Sequence, residues 1–261
     1  MTTLVRAAAE GEGFQGPSAR DFDFPPIVAG ITKPMVLLVL AAAVVFAFYW
    51  FSLRRPSVVP GRLQFAGESA YGFVRNSIGR DLIGSKDFLP YVPFLVALFS
   101  FILVNNLFGL VPLLQFPTMS RVSFPYVLAA IVWVTYNVVG IRRHGFGGYF
   151  RLQTMPSGVP AWILPILIPL EFLSNILIRP ITLSLRLFAN MFAGHLLLLV
   201  FVLGGEYMLV EGGIGLKLLS PFTFGVGIVM SFFELLVQVL QAYIFTLLTA
   251  LFIGTALADE H

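Results

Sequence analysis

The chain alternates long apolar runs with short polar ones, and the run lengths carry the first information. Met35 to Leu53 is uninterruptedly apolar and closes on Arg54-Arg55; about 20 such residues cross a bilayer core as one helix. Spans are predicted over 35–53, 88–112 and 125–141. Two further regions are too long for a simple crossing. As single helices, 161–203 would extend about 65 Å and 221–257 about 55 Å, against a hydrocarbon core of about 30 Å. Pro165, Pro169 and Pro180 permit kinks in the first, and tilt absorbs the remaining mismatch. The pattern therefore predicts an all-α integral membrane protein with about five membrane-embedded helices, the last two forming a long, steeply tilted hairpin. Between the first two spans, residues 56–87 interleave Arg62, Glu68, Arg75, Arg80 and Asp81 with Leu63, Phe65, Tyr71 and Phe73. That interleaving predicts one amphipathic helix lying on the membrane surface.

Residues 1–33 form a polar tail with Glu10, Glu12, Asp21 and Asp23, and 34–261 form a single membrane domain. The tail holds a formal G-x-G-x-x-G match at Gly11–Gly16, but no strand precedes it and no helix follows, so a nucleotide site is excluded. Composition agrees with the pattern. Hydrophobic residues make up 58% of the chain and charged ones 11%, with mean hydropathy +0.91, whereas soluble domains carry about 25% charged residues. The absence of cysteine excludes disulfides and thiolate metal sites, and no cofactor is expected. The net charge of +3 is small and comes mostly from arginines in loops, so a positive-inside bias explains it better than a nucleic-acid surface. Arg54-Arg55 and the cluster Arg142, Arg143, His144 and Arg151 mark two cytoplasmic loops, while Arg121 stands alone in 113–124. This orientation puts the N-terminus outside, the acidic, glycine-rich connection Gly204–Lys217 outside, and the C-terminus in the cytoplasm.

The apolar pattern is broken in two places that matter. Between 171 and 195 lie Glu171, Asn175, Arg179, Thr182, Arg186, Asn190 and His195. Each charge at bilayer depth costs roughly 2.5–3.5 kcal/mol on insertion scales, so such a cluster points to function. At 100° per residue all but His195 fall within an arc of about 100°. Ala189 and Ala193 share that face and leave room for another helix. The final segment repeats the logic: around Glu234, residues Gly227, Ser231, Gln238, Gln241 and Thr249 lie between about −20° and +60°. Antiparallel packing then puts Glu234 near the level of His195 and Gln241 near Arg186. Guanidinium keeps its charge and cannot relay protons, whereas imidazole and carboxylate take and release them. A permanent charge between two titratable zones, one open to each side, is a proton path with a plug. Asn105-Asn106 in the second span either bonds a neighbouring helix or lines a water path.

Arg179-Pro180 followed by Leu-x-Leu-Arg186-Leu-Phe-x-Asn190-Met-x-Ala-Gly194-His195 closely resembles the signature of subunit a of the rotary F-type ATP synthase. Leu240-Gln241-Ala-Tyr-Ile-Phe-Thr and Asn105-Asn106-Leu-Phe-Gly-Leu-Val-Pro112 resemble its last helix and an earlier span. The resemblance implies a stator subunit in the cell inner (plasma) membrane, not an enzyme by itself, with the c-ring, peripheral-stalk subunit b and the lipid bilayer as partners. It implies two offset half-channels and an essential arginine, Arg186, facing the c-ring carboxylates. By position Arg186, Thr182, Asn190, His195, Glu234 and Gln241 match family positions on the proton path, and the polar stripes add Glu171, Asn175, Gln238 and Ser231 to it. In some family members the acid and imidazole matching Glu234 and His195 are exchanged, which fits a coupled pair sharing a proton. The alternatives are a self-contained secondary transporter or channel, for which no inverted repeat is visible, and a scaffold, which leaves Arg186 and Glu234 as unexplained costs.

Overall fold

The computed structural model describes residues 32–54, 56–111, 118–154 and 163–258, together with Gly16. The rest of the N-terminal tail and the closing Asp259-Glu260-His261 lie outside the described residues. All secondary structure among the described residues is helical, and five helices are long and apolar enough to cross a membrane.

Helix α1 (Lys33–Leu53) is apolar all round, and only Pro34, Leu37, Ala41 and Ser52 are buried. Leu37 and Ala41 pack with Phe108 in a small apolar cluster, and polar contacts add to it. The Tyr49 hydroxyl meets Ser100 Oγ at 2.8 Å, and Ser52 Oγ donates to the Leu63 carbonyl at 3.1 Å. Helix α2 (Arg62–Phe73) is the amphipathic segment. Leu63, Phe65, Tyr71 and Phe73 are exposed, while Gln64 and Gly67 face α1. It runs on through a π-helical stretch, Val74–Arg80, and a short turn, Asp81–Ile83. Gly84 ends it at φ 97°, a left-handed value that glycine adopts without a Cβ clash.

Helix α3 (Val92–Leu107) returns through the membrane and α4 (Ser123–Thr154) follows. The basic loop expected after residue 141 is helical: α4 continues through Arg142 and Arg143, reverses at Gly145 (φ 72°, ψ 168°) and resumes to Thr154. Helix α5 (Leu164–Phe172), a π-helical stretch (Leu173–Ile178) and α6 (Arg179–Val210) form one continuous helical rod. Helix α7 (Ile214–Leu257) closes the fold and, at 44 residues, extends about 66 Å. The glycine-rich connection expected from Gly204 to Lys217 is largely helix, because Gly204 and Gly205 are buried against α7. Ser220 Oγ donates to the Gly205 carbonyl at 2.8 Å, and the chain turns only at Glu211–Gly213.

Helix α7 is the axle of the bundle, packing on α3, α4, α6 and the Asp81–Ile83 turn. Its buried positions include Glu234, Gln238, Gln241, Phe245, Thr249 and Ile253, three or four apart as one helical stripe requires. The lower half of the stripe is apolar and joins Val92, Leu95, Val132, Tyr136 and Leu187 in one core. The upper half is polar. The end carrying Arg54, Arg142 and Arg143 is called the basic end below, and the end with the Glu211–Gly213 turn the hairpin end.

At the basic end Gly254 lets the Leu82 backbone carbonyl lie against α7, where any Cβ would collide with it. Gly254→Val is expected to displace the surface segment and lower the amount of folded protein in membranes, read by immunoblot. Gly147→Ala, which has open space around it, is expected to leave that amount at the wild-type level.

Candidate functional site

The polar half of the α7 stripe meets α6 in an antiparallel register, which fixes which side chains share a level. Glu234 Oε1 lies 4.0 Å from His195 Nδ1, both side chains being buried, so the acid and the imidazole meet at the level their spacing implies. Gly194 leaves room beside them: a Cβ there would sit 3.5 Å from Glu234 Cγ. One turn along α7, Gln238 Nε2 donates to Glu234 Oε1 at 3.2 Å. Gln241 meets Asn190 rather than Arg186, with Asn190 Nδ2 donating to Gln241 Oε1 at 2.7 Å. Helix α3 closes the column from the other side. Asn106 Nδ2 donates to the Gln238 carbonyl at 3.2 Å, and Thr118 Oγ1 donates to Asn105 Oδ1 at 2.6 Å.

This column holds more hydrogen-bonding capacity than it uses. Glu234 Oε2, Gln238 Oε1, Gln241 Nε2 and Asn106 Oδ1 are buried without a partner among the described residues. Buried polar atoms are normally satisfied by protein or by ordered water. Four of them lie along this one column. Ser231 contributes less, since its hydroxyl donates to the Gly227 carbonyl of its own helix at 2.9 Å.

A second polar cluster sits at the basic end. Asn175 Nδ2 donates to Glu171 Oε2 at 2.9 Å and to the Gln153 carbonyl at 2.7 Å. Glu171, Asn175, Gln153, Arg179, Leu152 and Thr255 line a cavity of about 220 Å³. Arg179 belongs to the polar stripe but not to the candidate residues above. Its guanidinium lies over the Phe252 ring, 5.2 Å from the centroid, and its Nη1 is buried without a hydrogen-bond partner among the described residues. The stripe read from the sequence as one face is thus divided by its cover. Its basic end lies under α4 and α7, whereas Thr182, Arg186 and Asn190 are exposed.

The local backbone explains how the cluster is held. Pro180 has no N–H for the Ile176 carbonyl that an α-helix would pair with it. The chain widens into the π-helical stretch just before it, as such bulges often do at functional sites. Side chains of α4 take up carbonyls of that stretch: Trp133 Nε1 donates to Ile176 O at 2.8 Å and Tyr136 Oη to Asn175 O at 3.2 Å. Sequence reasoning assigned Trp133 and Tyr136 no part. The signal available was Pro180 inside an otherwise helical run, which requires a donor from elsewhere.

Between the clusters stands Arg186, about 11 Å along α6 from Arg179 and about 14 Å from His195. It is exposed, and so are Ala189 and Ala193 on the same face. Thr182 Oγ1 lies 2.8 Å from the Ile178 carbonyl of its own helix. The arrangement sets two carboxylates in separate polar surroundings, with one guanidinium on α6 between them. Among the described residues no group of three or more His, Cys, Asp or Glu side chains could hold a metal.

Comparison with known proteins bears on this geometry. The family model described as ATP synthase A chain matches residues 35–254. The chain is 53% identical to a protein of Nocardioides sp. named ATP synthase subunit a, over 99% of this chain and 98% of that one. It is 47% identical to the protein of that name from Pseudarthrobacter chlorophenolicus over the whole of both chains. With the one from Streptomyces lividans it shares 42% identity over 97% of this chain and 91% of that one.

Trp133→Phe keeps the ring but leaves the Ile176 carbonyl without its donor. It is expected to destabilise the purified chain by roughly 1–3 kcal/mol, read as a lower thermal midpoint of its helical circular dichroism. Thr135→Val, whose hydroxyl serves only the Ile131 carbonyl of its own helix, is expected to leave the midpoint in place.

Proposed function

The chain belongs to the ATP synthase A chain family, and from that premise we propose that it is the stator half of the proton path, exchanging protons with the carboxylates of a rotating c-ring. It is a multi-pass membrane subunit of an ATP synthase, non-catalytic by itself, and couples proton flow to ATP synthesis made elsewhere in the complex. The observation that carries the reading is the position of Arg186. A permanent charge stands bare on an apolar membrane face, between a buried Glu234–His195 column and a separate Glu171–Asn175 cavity. A lone guanidinium toward lipid is costly. A carboxylate brought to it by a neighbouring helix removes that cost and is itself held ionised.

In this reading the polar column and the basic-end cavity serve as the two half-channels. Glu234, His195, Gln238, Gln241, Asn190 and Ser231 serve the one opening toward the hairpin end, which is extracytoplasmic. Glu171 and Asn175 serve the one opening toward the basic, cytoplasmic end, and Thr182 and Arg186 face the ring. Positive residues gathered at one end support this orientation, with the N-terminus outside, the C-terminus inside and the protein in the cell inner membrane. Exposed Ala189 and Ala193 allow a ring helix to approach closely. A groove of about 1170 Å³ between α1, α3 and α4, apolar along Phe46, Phe94, Ala97 and Ile131, suits the membrane helix of peripheral-stalk subunit b. A self-contained transporter has no comparable use for a bare arginine on its outer face.

In inverted vesicles carrying the whole complex, Arg186→Ala is expected to abolish ATP-driven acidification while raising passive proton leak. Retained pumping would overturn the reading. Glu234→Gln removes the exchangeable proton and leaves the Gln238 contact sterically intact; passive flux is expected to fall by about 10²-fold, the usual contribution of a positioned acid or base. Wild-type flux would remove Glu234 from the route.

A further inference from the structure

The returning end of α4 has no part in the proton route as described so far, yet it is bonded into it. After the reversal at Gly145, Tyr149 comes back onto α4 itself and lies on Gly140, where any Cβ would collide with its ring. In a straight helix Tyr149 and Asn137 would stand about 18 Å apart. Here the Tyr149 hydroxyl donates to Asn137 Oδ1 at 3.1 Å, and Gln153 Nε2 donates to the same hydroxyl at 3.1 Å. The main-chain carbonyl of Gln153 accepts from Asn175 Nδ2 at 2.7 Å, and that nitrogen also donates to Glu171 Oε2 at 2.9 Å. Tyr149 is fully buried and Gln153 is nearly so. Tyr149 thus anchors the Gln153 side chain to Asn137, and the backbone of the same residue holds Asn175 and through it the carboxylate.

The burial of these residues argues for a fixed geometry. Glu171 is half-buried at the cavity wall and has rotamer freedom to lose. A group that exchanges protons must stay within hydrogen-bond reach of its partner, and small misplacements cost rate steeply. We propose that the returning end of α4 is a brace that positions Glu171 for proton exchange in the basic-end cavity, with Tyr149 as the positioning residue that locks Gln153 against Asn175. The inference rests on the proton-path reading given above. It adds a role for residues outside the two polar stripes.

The test uses inverted vesicles with the whole complex and compares Tyr149→Phe, Glu171→Gln and the double variant. Tyr149→Phe keeps the ring on Gly140 and removes only the hydroxyl. Expected are a normal amount of complex, normal ATP hydrolysis in uncoupled membranes, and passive proton flux lowered about fivefold, the scale of one lost hydrogen bond. Glu171→Gln lowers flux as well, and the double variant matches Glu171→Gln alone, because the brace acts only through the carboxylate. If Tyr149→Phe reduces the amount of complex, Gln153→Met breaks the same link from its other end and is read in the same way. Unchanged flux in Tyr149→Phe with impaired Glu171→Gln overturns the brace and leaves the proton route standing. An equal fractional loss with and without Glu171 makes Tyr149 merely structural and also overturns the brace. A wild-type rate in Glu171→Gln overturns the brace together with the basic-end half of the route.

Discussion

The antiparallel register between α6 and α7 decides the level of the polar side chains along the column that holds Glu234 and His195. Asn190 against Gln241, His195 against Glu234 and Gly205 against Ser220 are successive rungs of one contact. Gly205 keeps the two helices close along it, since a Cβ there would press on the Phe224 ring. In lipid the gain from such closeness is van der Waals contact and interhelical hydrogen bonding, since the surrounding medium is as apolar as the side chains. A slip of one residue would rotate Glu234 by about 100° out of the interface and into hydrocarbon. The polar column and the register therefore enforce each other.

A second dependence runs through Pro180. An imino acid in the middle of a membrane rod leaves a carbonyl to be satisfied, and hydrocarbon offers no donor. Trp133 and Tyr136 supply donors from α4, so the break in one helix becomes an attachment point for another. That attachment brings the end of α4 over Asn175 and encloses the basic-end cavity. Without it Glu171 and Arg179 would face lipid or open water, and the two pockets would differ little in character.

Much of this was legible in the sequence because lipid imposes strict patterns. The all-α class, the five long apolar helices and the surface segment follow from run length and amphipathicity alone. The levels of Glu234 and His195 follow from 3.6-residue spacing once the helices are taken as antiparallel. Local spacing could not show what covers a face. Residues 171–190 project as one stripe, yet α4 roofs the part around Asn175 and leaves Arg186 bare, and that depends on the reversal at Gly145. Gly204-Gly205-Glu206 reads as a loop by composition but is helix, and Gly205 packs against Ser220 and Phe224. Arg179 was visible as a charge, but its cavity exists only where three separate helices converge.

The small side chains beside Arg186 have a mechanical meaning as well as a steric one. Ala189 and Ala193 lower the relief immediately beside Arg186, between the exposed Leu185 and Leu197. A partner moving sideways past the two alanines would meet little resistance from shape at that level. The one steep feature in its way is the field of a single guanidinium, which acts on charge and ignores contour. Motion past such a surface is smooth for a neutral group and abrupt for an ionised one. The same wall can then serve as both bearing and latch.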